Sequence, residues 1–136
     1  MAGCSCGQEK TIIITACSGA ANTGLLADQV ARKLRAEKVG SMTCLAAIGA
    51  ELSGYVESAR NADRNIIIDG CPVACGAKIF QKLGLKYEEY VMADYEPEKG
   101  KTEITQALIN DISAHVKADI GSKQACGSAL STTSSI

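Results

Sequence analysis

Thr11-Ile12-Ile13-Ile14-Thr15-Ala16-Cys17-Ser18-Gly19-Ala20-Ala21-Asn22-Thr23-Gly24 is the stretch whose reading decides the fold. A β-branched run without polar alternation marks a strand buried on both faces, as strands are in a parallel sheet. The run breaks into a loop of small residues, Cys17 to Gly24. Leu26, Val30 and Leu34 then recur at every fourth position, with Arg32, Lys33 and Arg35 between them. That spacing predicts an amphipathic helix over residues 24–38, capped by Asn22 or Thr23 and stopped by Gly40.

The same alternation continues outward. Residues 41–47 read as a short second strand, 48–50 as a loop and 53–62 as a helix. Arg64-Asn65-Ile66-Ile67-Ile68-Asp69 repeats the pattern of the first strand. Pro72 suits the first turn of a third helix, where its missing N–H is no loss. That helix runs to Leu83, with Gly84 as its C-terminal glycine. Residues 87–93 form a fourth strand and 94–101 an acidic loop. A last helix runs from Thr102 to about Ala118, with Ile104, Leu108, Ile112 and Val116 four apart. Alternating strands and helices predict an α/β fold: a single-domain, open, mostly parallel four-stranded sheet with helices on both faces. The two most apolar strands, first and third, belong in the centre, which gives the order 2-1-3-4.

The folded unit expected is residues 10–120, flanked by flexible tails at 1–9 and 121–136, the second rich in Ser and Thr. Of 136 residues 46% are hydrophobic and 21% charged, enough for one core without disulfides. A net charge of −1, with four tyrosines, one phenylalanine and no tryptophan, supplies neither a basic patch nor a stacking platform for nucleic acid. No apolar run approaches the ~20 residues of a membrane span. The first ten residues do not read as a secretory leader, so a cytoplasmic location is expected. In that reducing setting, seven cysteines against one histidine point to metal binding or thiol chemistry.

On this skeleton Cys17 ends strand 1, Cys44 lies in or just after strand 2, and Cys71 follows strand 3. Cys75 falls one turn into the next helix. Ligands of open α/β sheets bind outside the C-terminal strand ends where strand order reverses, so all four thiols are expected at one crevice. Four residues apart on a helix, Cys71 and Cys75 would share a face, ~5–6 Å apart at Cβ. A helix N-terminus also favours the thiolate that binds metal. An isolated cysteine at a strand end is equally a common packing residue, which applies most to Cys44. Cys4 and Cys6, and Cys126, fall in the two tails. Asp69 suits either the orientation of a ligand or the capping of the helix after it. His115 reads as a solvated residue near a helix end.

Ile66-Ile67-Ile68-Asp69-Gly70-Cys71-Pro72-Val73-Ala74-Cys75-Gly76-Ala77-Lys78 resembles the DGC-domain family of zinc-binding proteins of bacteria and archaea. The likeness extends to Ala16-Cys17-Ser18-Gly19 and to Cys44-Leu45-Ala46-Ala47-Ile48-Gly49-Ala50, and covers about residues 11–93. It implies a metal site of Cys17, Cys44, Cys71 and Cys75. Four thiolates would saturate tetrahedral zinc and leave no open position for hydrolysis; loss of Cys44 from the set would reopen one. The same ligands suit an iron–sulfur cluster. A further alternative is a thiol-disulfide oxidoreductase or thiol-transfer enzyme using Cys17, Cys71 and Cys75. Cysteine phosphatase chemistry is disfavoured because Thr23 stands six residues after Cys17, where an arginine is needed. Backbone amides at the start of the first helix remain able to bind an anion.

Overall fold

A computed structural model describes residues 10–125, with side chains as far as Lys123. Strand β1 (Ile12–Ala16) leads into helix α1 (Asn22–Ala36), and β2 (Ser41–Thr43) into α2 (Leu45–Gly49) and α3 (Ser53–Asn61). Strand β3 (Arg64–Asp69) is followed by α4 (Cys75–Lys82). Strand β4 (Glu88–Val91) continues through a 3-10 turn at Met92–Asp94 towards α5 (Gln106–Ala125). The four strands form one sheet in the order β2-β1-β3-β4, parallel throughout. Fold class and strand order are those expected from the sequence.

The central pair carries the core. Ile14 lies opposite Ile66, and Ile14, Ile66, Ile67 and Ile68 are fully buried. Helix α1 lays Leu26, Val30 and Leu34 into that core and packs against α5, which contributes Ile112 and Val116. Helices α3 and α4 both pack on α2. Right-handed crossovers run towards opposite edges of the sheet, which sends α1 and α3–α4 to opposite faces.

Several boundaries differ from expectation for identifiable reasons. Asn22 does not cap α1, whose N-cap is Ala21; its amide reaches instead to the loop before α5. The left-handed turn after α1 falls on Lys38, at φ 61°, and not on Gly40. Strand β2 stops at Thr43, because Leu45, Ala47 and Ile48 turn inward on the short helix α2, where the sequence pattern predicts strand and loop.

Pro72 does not open α4. It sits in a turn closed by the Ala74 N–H on the Cys71 carbonyl (3.0 Å), a position that proline's fixed φ also suits. Ala74 is left-handed, at φ 55°, so α4 begins only at Cys75. The far end of α4 is as expected, with Gly84 at φ +67° just past Leu83.

Thr102 is held in a turn with Glu98 and does not start α5; the Thr105 hydroxyl accepts from Leu108 N–H (3.2 Å) at the true start. The helix runs on to Ala125, so residues 121–125 are not tail. Arg64, bound to both oxygens of Glu88 at 2.6 and 2.7 Å, also donates to the Ile120 carbonyl, and Lys123 lies 4.6 Å over the Tyr90 ring. These contacts give the last turns a surface to follow. Tail expectations for residues 1–9 and 126–136, with Cys4, Cys6 and Cys126, fall outside the described residues. None of the described helices is long and apolar enough to cross a membrane.

Candidate thiol site at the strand ends

The C-terminal ends of β1 and β3 open into a cavity of about 440 Å³. Backbone meets backbone at its floor. A Cβ on Gly24 would lie 2.4 Å from the Gly19 carbonyl oxygen, and one on Gly70 would lie 2.7 Å from Gly24 N. Only glycine permits the loops after the two central strands to touch the start of α1 this closely.

Cys17 is a buried residue at the end of β1. Its N–H donates to the Ile68 carbonyl (3.0 Å), and its Sγ accepts from Gly70 N–H (3.2 Å), so it bridges the two central strands. Burial pushes the Cys17 thiol up from its ordinary pKa, against the lowering pull of backbone N–H groups at Gly19 and Gly70. Cys71, half-buried, and Cys75, exposed, line the same cavity from the turn after β3 and the first residue of α4. They are not one helical turn apart on a common face, since the turn at 71–74 lies between them. Lys99, from the loop before α5, joins the lining and places its Nζ 3.5 Å from Cys71 Sγ.

Cys44 lies elsewhere. As the N-cap residue of α2 it is exposed and lines a second cleft with Asp28, Arg32, Arg35 and Tyr55. The two clefts share Ser18 in their walls. All four described cysteines are free thiols. Among the described residues no three or more His, Cys, Asp or Glu side chains are drawn together as a preformed metal cluster. In chemistry the trio Cys17, Cys71 and Cys75 is a soft donor set suited to zinc or an iron–sulfur cluster.

Asp69 is a capping residue. Fully buried, its carboxylate accepts from Gly76 N–H (2.8 Å) and Ala77 N–H (3.1 Å), which fixes the N-terminus of α4 and with it Cys75. His115 is exposed beside Asp111, away from the cavity. Lys99 had no local signal, being a lysine in an acidic loop. Asn22 brings it into place, by donating to the carbonyls of Glu98 (3.0 Å) and Thr102 (2.7 Å) and accepting from Gly100 N–H (2.6 Å).

A family model described as DGC domain matches residues 13–116, which takes in Cys17, Cys44, Cys71 and Cys75. The chain belongs to the DGC-domain family. A stretch of 63 residues of the chain is 33% identical to the "Anaerobic and virulence modulator AnvM" of Pseudomonas aeruginosa. The match takes in 46% of the chain and 48% of the relative, so it spans about half the length of that protein. No solved structure matches the chain.

Proposed function

We propose that this DGC domain is a zinc-binding regulatory module that holds the ion by Cys17, Cys71 and Cys75 at the C-terminal ends of β1 and β3. The observation that carries this reading is the lining of one cavity by three free thiols, one from the end of β1 and two from the β3–α4 connection. Zinc supplies charge and a tetrahedral preference that would draw the three sulfurs together. Gly70 N–H on Cys17 and the Asp69 anchor of α4 hold two of the donors in orientation. Cys44, across Ser18, stands outside the trio, which leaves the fourth position to Cys44 or to a ligand from outside. The relative's name, a modulator, favours a sensor over a carrier.

Zinc content after anaerobic purification tests the reading. About one zinc per chain is expected, lost in Cys71→Ser and retained with weakened affinity in Cys44→Ser. Zinc-free protein, or zinc kept by Cys71→Ser, overturns it. Brown protein with iron and sulfide replaces zinc with a cluster.

The nearness in sequence of two accessible free thiols, Cys71 and Cys75, on the wall of one cavity supports a second reading, thiol-disulfide chemistry. A reversible Cys71–Cys75 disulfide in metal-free protein, detected by differential alkylation, is the result that would put this reading first.

A further inference from the structure

We infer that the outer edge of β2 is a docking site for an acidic, extended segment of a partner protein. Strand β2 ends the sheet in the order β2-β1-β3-β4, so Ser41–Thr43 has a strand on one side only. Among the described residues, no hydrogen bond reaches that stretch of backbone except from β1. Such an edge presents N–H and C=O groups ready to pair with another chain. Two clefts meet along it. One, of about 820 Å³, is bounded by Lys10, Arg35, Lys38 and residues 39–42; the other, of about 450 Å³, by Arg32, Arg35, Met42, Thr43 and Tyr55. Arg35 and Met42 belong to both, which joins them into one groove.

The charge of this groove is one-sided. Arg32 is neutralised by Asp28 (2.8 Å), but exposed Lys10, Arg35 and Lys38 have no carboxylate partner among the described residues. Glu37, beside Lys38 in the chain, is taken by Lys33 (3.4 Å) and Lys117 (2.9 Å). Asp63 accepts from Thr11 N–H (2.7 Å) and lines a different cleft with Arg64. A net charge of −1 for the chain therefore conceals three unpaired cations along one sheet edge. Charge and backbone together select the occupant. A second copy paired edge to edge would set the same cations against each other. A nucleic acid would use the charge but not the strand edge. An acidic extended chain uses both: its backbone continues the ladder, its carboxylates meet Arg35, Lys38 and Lys10, and an apolar residue between them meets Met42 and Tyr55. Lysines beside an edge strand also deter aggregation, and that role alone predicts no binding.

The test titrates the full chain, reduced, into a fluorescein-labelled hexapeptide of alternating glutamate and valine. Saturable anisotropy with a Kd on the order of 100 μM at low salt is expected, with amide shifts at Ser41, Met42 and Thr43. Arg35→Glu and Lys38→Glu should each weaken binding about tenfold or more, with helical circular dichroism unchanged. Lys82→Glu, exposed on α4, should bind as the natural chain does. The same peptide N-methylated at every residue keeps its charge but has no ladder donor, and should bind about tenfold more weakly. Absence of saturable binding, equal binding of the methylated peptide, or full retention in both charge reversals overturns the inference. So does tighter binding of a short DNA duplex than of the peptide. Cys71→Ser should bind the peptide like the natural chain, so the zinc reading and this one can fail separately.

Discussion

Ala74 occupies the most constrained backbone position near the thiols. Its φ of 55° is left-handed, a conformation that costs an L-residue with a Cβ roughly 1–2 kcal/mol. The strain is what turns the chain from the Cys71 turn into α4 and separates the two cysteines. Ala74→Gly should therefore leave stability unchanged or raise it by up to about 1 kcal/mol in urea unfolding, since relief of strain offsets the added freedom of the unfolded chain. Ala74→Val should cost more than about 1 kcal/mol, as a β-branched residue tolerates this region poorly. Equal midpoints for the two variants would remove strain from the description of the turn. Cys17 contrasts with its partners at the same scale. Buried, with its thiol pKa raised, it should alkylate with iodoacetamide at pH 7 well after exposed Cys75 and Cys44 in reduced, metal-free protein. Mass mapping of the earliest adduct to Cys17 would contradict this.

At the scale of elements, β4 sets a carboxyl group beneath the cap of α4. Glu89 lies near Asp69, the residue that holds the first N–H groups of that helix, and one buried oxygen of Glu89 has no partner. Burial first, then the hydrogen bond and charge of Asp69, and last the charge of Asp94, raise the Glu89 carboxyl above its ordinary value of 4.5. A carboxyl whose pKa is higher folded than unfolded adds stability that is complete below the unfolded value. That stability is lost as pH climbs through the folded value. Glu89→Gln, which cannot ionise, should therefore gain on the natural chain as pH rises from 4 to 7, measured as the difference in thermal midpoint. A difference that stays constant with pH would show that Glu89 is not the titrating group. Helix ends were the least legible elements in the sequence, for a common reason. Asn22, Asp69 and Thr102 all have side chains suited to capping the next residues of a helix. Yet Asn22 reaches across to the Thr102 carbonyl, the Thr102 hydroxyl accepts from Glu98 N–H in the turn before it, and Asp69 reaches seven residues ahead. Local pattern cannot show which distant backbone claims a polar side chain.

Across the whole molecule the sheet was legible because its information is one-dimensional. Two isoleucine runs, each buried on both faces, demand the centre, and the right-handed crossover rule leaves few ways to attach the other two strands. The cavity was legible in part. Strand ends bring Cys17 and Cys71 to one place through the order β1-β3, and chain continuity brings Cys75. Cys44 was placed from the end of an edge strand. That strand is only three residues long, and α2, whose buried side chains are all small or aliphatic, leads the chain off before the crevice. Lys99 was not legible at all, since an Asn22 clamp across 78 residues to Gly100 has no local trace. A metal joining Cys17 of β1 to the β3–α4 turn would tie the two halves of the sheet to one ion. Saturating zinc at about 100 times its Kd should then contribute about 2.7 kcal/mol to stability, a rise in Tm on the order of 10 °C that Cys71→Ser abolishes.

The most direct test of the central claim is zinc-edge X-ray absorption on the chain purified anaerobically under reducing conditions. A first shell of at least three sulfur atoms at about 2.3 Å is expected, falling by one sulfur or losing the metal in Cys17→Ser, Cys71→Ser and Cys75→Ser alike. A shell of nitrogen and oxygen alone, or an unchanged sulfur count in those variants, would contradict a zinc site built on the three thiols.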